Sequence, residues 1–134
     1  MATKKIRHLD FALLELINRE VVSLTGEPHE FAEADRTKIE SLVDDVIRRA
    51  NNEKFEIAAL EKASLLVYRL ASGQFFHAGN KRTALVAGSA FLEMNGFSLD
   101  LAESELVSAV DRAGIAAAGL NDVYEVMKRL STTV

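Results

Sequence analysis

The chain has 134 residues, a formal charge of −4 and no cysteine. A disulfide framework and a thiolate metal site are therefore excluded, and the charge argues against the cationic stripe that nucleic-acid binders use to displace counterions. With 49% apolar and 27% charged residues, it has the composition of one folded domain spanning 1–134, not of a disordered chain.

Abundant Ala, Leu, Glu, Lys and Arg with a single proline, Pro28, favour helices over strands. Phe11, Leu14, Ile17, Val21 and Leu24 recur at intervals of three and four, which predicts an amphipathic helix from Asp10 to about Leu24. Thr25-Gly26-Glu27-Pro28 stops it. Ile39, Leu42, Val43, Val46 and Ile47 mark a second helix that ends near Asn51-Asn52. A third, Ile57 to Ser72, carries Leu60, Leu65, Leu66, Val67 and Leu70 most of the way round, as a central helix does. Gly73 and Gly79 bracket a short aromatic loop. A fourth helix, Asn80 to Asn95, is also apolar nearly all round and meets a left-handed cap at Gly96.

Asp100 with Glu103 spells a capping box for a fifth helix, Ala102 to about Arg112. The Ala-Gly stretch 113–119 breaks it, and Asn121 is expected to cap a last helix through Val123, Val126, Met127 and Leu130. The expected fold is all-α: a compact bundle of about six helices around a central helix-loop-helix. No apolar run approaches the ~18 residues of a membrane span and no leader is recognisable, so the expected location is the cytoplasm, with no membrane or nucleic-acid partner. Lys4, Lys5 and Arg7 read as a solvated tail.

Chemistry concentrates in residues 73–85, Gly-Gln-Phe-Phe-His-Ala-Gly-Asn-Lys-Arg-Thr-Ala-Leu. Gly79 lets backbone approach a ligand where a side chain would obstruct it. The helix starting next leaves its first N–H groups without intrahelical partners, and such a terminus attracts anions. Asn80, Lys81, Arg82 and Thr83 add donors and positive charge. The pattern proposes a phosphate cradle. Its plainer alternative is an ordinary helix cap at Asn80 beside two solvated cations.

The run Gly79-Asn80-Lys81-Arg82-Thr83-Ala84-Leu85, with Phe76 before it and Asn95-Gly96 closing the helix, resembles the signature of the Fic/Doc family, and within it the short death-on-curing (Doc) toxins. The family pattern is His-x-Phe-x-(Asp/Glu)-(Gly/Ala)-Asn-(Gly/Lys)-Arg, in a loop between two central helices. The resemblance implies transfer of AMP or a phosphoryl group from a nucleotide such as ATP to a protein hydroxyl, and for Doc-type members a separate antitoxin chain. It assigns Phe76 as loop anchor, Gly79 and Asn80 as the anion-binding turn, Lys81 as the Doc-type residue and Arg82 as the phosphate-contacting arginine; Thr83 joins them as a donor on the local pattern alone. The second arginine of the AMP-transferring form would fall at Leu85, which disfavours that subtype.

Two positions depart from the pattern. The histidine that takes the hydroxyl proton falls at Gln74, whose amide can orient a hydroxyl but not deprotonate it. The metal-holding acid falls at Ala78, so magnesium is not expected at the usual place. A general base contributes roughly 10²–10⁴ in rate, and a metal several kcal/mol of charge stabilisation more. The expectation is weak nucleotide binding with little or no transfer. The competing expectation is an active transferase using His77, or a water held by Gln74.

The remaining candidates have plain readings. His8 and His29 are expected at the surface, and Phe75 and Phe76 in the core. Glu27, His29, Glu30 and Glu33 read as a solvated face, not a metal cluster.

Overall fold

Asp10 caps the first helix, whose apolar side chains recur at helical spacing: its carboxylate accepts from the Leu13 N–H at 2.9 Å. In order, the elements are α1 (Phe11–Ser23), α2 (Glu33–Arg48), α3 (Phe55–Ser72), α4 (Asn80–Met94), β1 (Phe97–Leu99), α5 (Ser104–Gly114), α6 (Leu120–Leu130) and β2 (Ser131–Thr133). The computed structural model describes residues 5–24, 33–49, 54–100, 104–114 and 118–133. The Thr25–Pro28 turn, the Asn51-Asn52 helix end, the Glu103 half of the capping box, His29 and Glu30 lie outside the described residues.

Helix α3 is the axis, and α2, α4, α5 and α6 all pack on it. It buries Ala59, Ala63, Leu66, Val67 and Leu70. Small residues let α4 come close: a Cβ on Gly88 would sit 2.4 Å from the Val67 methyl carbon Cγ2. Ala84, Ala87, Phe91 and Leu92 are fully buried on the same helix. Burial nearly all round α3 and α4 explains why neither shows a narrow apolar stripe in the sequence.

Polar side chains tie the outer elements down. Lys62, 1% exposed, donates from Nζ to the carbonyls of Val46 at 2.8 Å and Ile47 at 2.9 Å, satisfying acceptors that the end of α2 leaves open. Burial, with the nearby Arg49 charge, pulls its ammonium pKa down. The side chain of Asn95 accepts from the Arg7 N–H at 2.8 Å and donates to the Arg7 carbonyl at 3.0 Å, holding the N-terminal segment along the core.

That clamp corrects the expectation for His8. The ring is half-buried and meets Phe91 edge-on with centroids 5.9 Å apart. Its Nε2 is buried without a hydrogen-bond partner, and burial, then the Lys62 charge, lowers its pKa. Periodicity starting at Asp10 could not show that the segment before the helix packs inward.

Two further expectations change. Gly119, not Asn121, is the N-cap of α6, and the Asp122 carboxylate accepts from the Gly119 N–H at 2.8 Å. The bundle also carries a two-stranded antiparallel sheet that pairs Phe97 with Thr133 and Leu99 with Ser131. Three residues per strand are too few to show an alternating pattern. Among the described residues no helix is long and apolar enough to cross a membrane.

Candidate functional site

The site is built where α3 stops and α4 begins. Phe75 and Phe76 are 2% and 3% exposed, so the aromatic pair expected in the core does anchor the loop. Lys38 of α2 donates to the Gln74 carbonyl at 3.0 Å and sits 4.7 Å from the centroid of the Phe75 ring. The loop is closed from within by Asn80. Its Oδ1 accepts from the Phe76 N–H at 3.0 Å and its Nδ2 donates to the Phe76 carbonyl at 2.9 Å.

Gly79 makes the turn into α4 with φ of 75°, a left-handed conformation that L side chains rarely adopt. A Cβ there would also press against Val22 at 3.1 Å and Val21 at 3.3 Å. The same helix, α1, also holds the turn through Asn18, which is 1% exposed. Its Nδ2 donates to the Ala78 carbonyl at 2.9 Å and to the Thr83 hydroxyl at 3.1 Å.

A groove of about 370 Å³ opens over this turn, lined by Val21, Val22, Ala71, Gln74, Gly79, Asn80, Lys81, Arg82 and Gly114. None of the described lining residues is acidic. The N–H groups of Asn80, Lys81 and Arg82 belong to the first turn of α4, where helix geometry supplies no acceptor; the ladder begins with Thr83 N–H to Gly79 carbonyl at 2.9 Å. The positive end of the helix dipole and two exposed cations thus meet at one mouth. Lys81 forms an exposed ion pair with Asp111 of α5 at 3.6 Å, a contact worth little in water. Gly114 leaves room for that side chain, since a Cβ there would come within 2.7 Å of Lys81 Cε.

The expected site residues therefore divide. Gln74, Gly79, Asn80, Lys81 and Arg82 are brought together around the groove. Thr83 is not available to a ligand. It is fully buried, its hydroxyl is engaged by Asn18 and its N–H by Gly79, because the fourth helical position already turns into the core. Asn80 spends both ends of its side-chain amide on Phe76, which leaves its backbone N–H as the donor facing the groove. His77 is exposed and is not part of the lining.

A model described as the Fic/DOC family matches residues 6–92. The match runs from the N-terminal segment through most of α4 and takes in the whole loop and turn. The chain belongs to the Fic/DOC family. No curated protein and no solved structure matches it. The position that the motif resemblance assigns to a metal-holding acid is Ala78, whose side chain has no donor atom and whose carbonyl accepts from Asn18. Among the described residues no three His, Cys, Asp or Glu side chains gather where they could hold a metal ion. The residues present do not fit a metal at that position, whereas the amide and cation donors do fit a phosphate.

Sequence reasoning missed Asn18, Lys38 and Asp111. Asn18 falls within the apolar stretch of α1, and an amide facing the core there was the available signal. The other two are surface charges that only the packing of α2 and α5 brings to the loop.

Proposed function

We propose that this Fic/DOC chain binds a nucleotide phosphate, as in ATP, in the groove over Gly79 to Arg82, and transfers its phosphoryl or AMP group weakly or not at all. The reading rests on one observation: a groove with no acid among its described lining residues receives the first turn of α4 together with Lys81 and Arg82. Backbone N–H groups and a guanidinium match the geometry of phosphate oxygens. Transfer needs more than this. Gln74 lines the groove and its amide can orient a hydroxyl, but it cannot accept the proton that must leave as the hydroxyl attacks phosphorus. The chain would serve as a Doc-like toxin–antitoxin component, with the antitoxin a separate chain and a protein as substrate of any residual transfer.

Calorimetric titration with ATP tests the binding. Weak affinity is expected, lowered in Arg82→Ala and little changed by magnesium; strong magnesium dependence, or no effect of Arg82→Ala, would defeat the reading. Incorporation of labelled phosphate from ATP into protein tests the chemistry. The unaltered chain should transfer little, and Gln74→His with Ala78→Asp should recover transfer that neither change recovers alone, because base and metal act on one transition state.

A second reading, an active transferase, is favoured by the place of Gln74 in the groove wall, where its amide could hold a water. His77, outside the lining, contributes less to that reading. Transfer by the unaltered chain that vanishes in Gln74→Ala would establish it.

A further inference from the structure

The hydrogen bond from Asn18 to the Ala78 carbonyl does more than fasten a loop. A peptide unit is planar and trans, so its N–H points opposite to its carbonyl. With the Ala78 carbonyl drawn toward α1 by Asn18 Nδ2 at 2.9 Å, the N–H of the same unit, which belongs to Gly79, points away from α1. We propose that Asn18 is a positioning residue that sets the Ala78–Gly79 peptide so that the Gly79 N–H joins those of Asn80, Lys81 and Arg82 in a four-donor nest for a phosphate or diphosphate group. This rests on the phosphate reading of the groove and extends it to a residue of α1.

The physical need for such a residue lies in Gly79 itself. A left-handed residue followed by right-handed helical ones turns successive N–H groups toward one concavity, the arrangement that cradles anions. Glycine also tolerates the flipped peptide, with φ negative, about as readily. The flip would turn the Ala78 carbonyl oxygen toward the space an anion would occupy and replace attraction with repulsion. Nothing in the glycine chooses between the two states, so the choice falls to its surroundings. Asn18 is 1% exposed, and a buried donor without an acceptor is costly. The amide therefore favours the state in which Ala78 offers its oxygen. Its second bond, to the fully buried Thr83 hydroxyl at 3.1 Å, fixes the amide relative to the first turn of α4. One side chain thus joins α1, the loop and α4 behind the proposed nest.

Inorganic pyrophosphate is the probe, titrated into the full ¹⁵N-labelled chain while amide resonances and calorimetric affinity are followed. The Gly79 amide resonance is expected to move together with those of Asn80, Lys81 and Arg82. In Asn18→Leu, and in the nearly isosteric Asn18→Asp, which loses the donor, affinity should fall about tenfold, the loss of one hydrogen bond to a charged group. The Gly79 response should disappear while circular dichroism still reports a folded chain. A purely structural role for Asn18 would not single out Gly79. If the Gly79 amide stays still in the unaltered chain while the next three move, or if folded Asn18 variants bind as tightly, the proposal is overturned and the phosphate reading stands. If the unaltered chain binds no pyrophosphate, or Arg82→Ala binds as well as it does, the phosphate reading falls and takes the proposal with it. Should both Asn18 variants fail to fold, the Gly79 response of the unaltered chain decides alone.

Discussion

Helices α4 and α6 both begin at a glycine that caps with no side chain, yet the two starts are built for opposite ends. At α6 the third helical residue is Asp122, whose carboxylate accepts from the Gly119 N–H and places negative charge on the helix terminus. The hollow beside it is small, about 120 Å³, and contains Glu61. At α4 the third helical residue is Arg82, the first turn carries no acid, and the groove is about three times as large with no acid among its described lining residues. A helix start is thus no site in itself. It becomes one when the chain withholds its own anion and leaves space for another.

The largest expected effect comes from giving α4 the residue that α6 uses. Arg82→Asp puts a carboxylate where it can reach back to the Gly79 N–H, removes a guanidinium and adds repulsion. Affinity for ATP or pyrophosphate should fall on the order of a hundredfold, since hydrogen bonds to charged groups are worth about 1.5–3 kcal/mol before repulsion is added. Thermal stability should hold or rise slightly, as an acid in the first turn contributes about 0.3–1 kcal/mol. Titration and melting of the same sample read both. Retained affinity would show that the groove is not organised around Arg82.

The contrast between the two starts was half legible in the sequence. The Gly-Asn-Lys-Arg run proposes an anion-binding turn, and the helical spacing around it located α3 and α4 to within a few residues. What escaped was whatever depends on a partner distant in the chain. Thr83 looks like one more donor until its burial against Asn18 is seen. Lys62 reads as a surface charge on α3 yet closes the end of α2 from inside the core. Asn121 is a plausible cap by residue type, yet the backbone places the cap at Gly119. Apolar spacing reports which face is buried, but it is silent on which polar groups are buried in pairs.

The two cap glycines should differ in what they tolerate. Gly79→Ala forces a side chain into the left-handed region, at about 1–2 kcal/mol, and against Val22 at 3.1 Å. Gly119 has φ of −101° and ψ of −179°, extended backbone that any residue adopts, and among the described residues a Cβ there would meet only Asp122 Oδ2 at 3.9 Å. Chemical denaturation should show a loss of about 2 kcal/mol for Gly79→Ala and a change within about 0.5 kcal/mol for Gly119→Ala. Equal losses would mean that the left-handed turn is not held in solution.

The smallest effect separates residues kept for stability from residues kept for a ligand. Asp122→Ala removes a side chain that satisfies an N–H of the chain's own helix, and an exposed cap of this kind contributes about 1 kcal/mol. Arg82→Ala removes an exposed side chain from a helix terminus with which its charge is mismatched, so its loss should be neutral or gain a few tenths of a kcal/mol. Denaturation without ligand should therefore rank Asp122→Ala below the unaltered chain and Arg82→Ala level with it or above. Repeating the measurement in excess pyrophosphate sharpens the distinction, because a ligand that binds only the folded state adds stability in proportion to the logarithm of its saturation. The unaltered chain and Asp122→Ala should gain equally from the ligand, and Arg82→Ala should gain less. An Arg82→Ala chain destabilised without ligand would place that arginine among the structural caps and remove the asymmetry between the two helix starts.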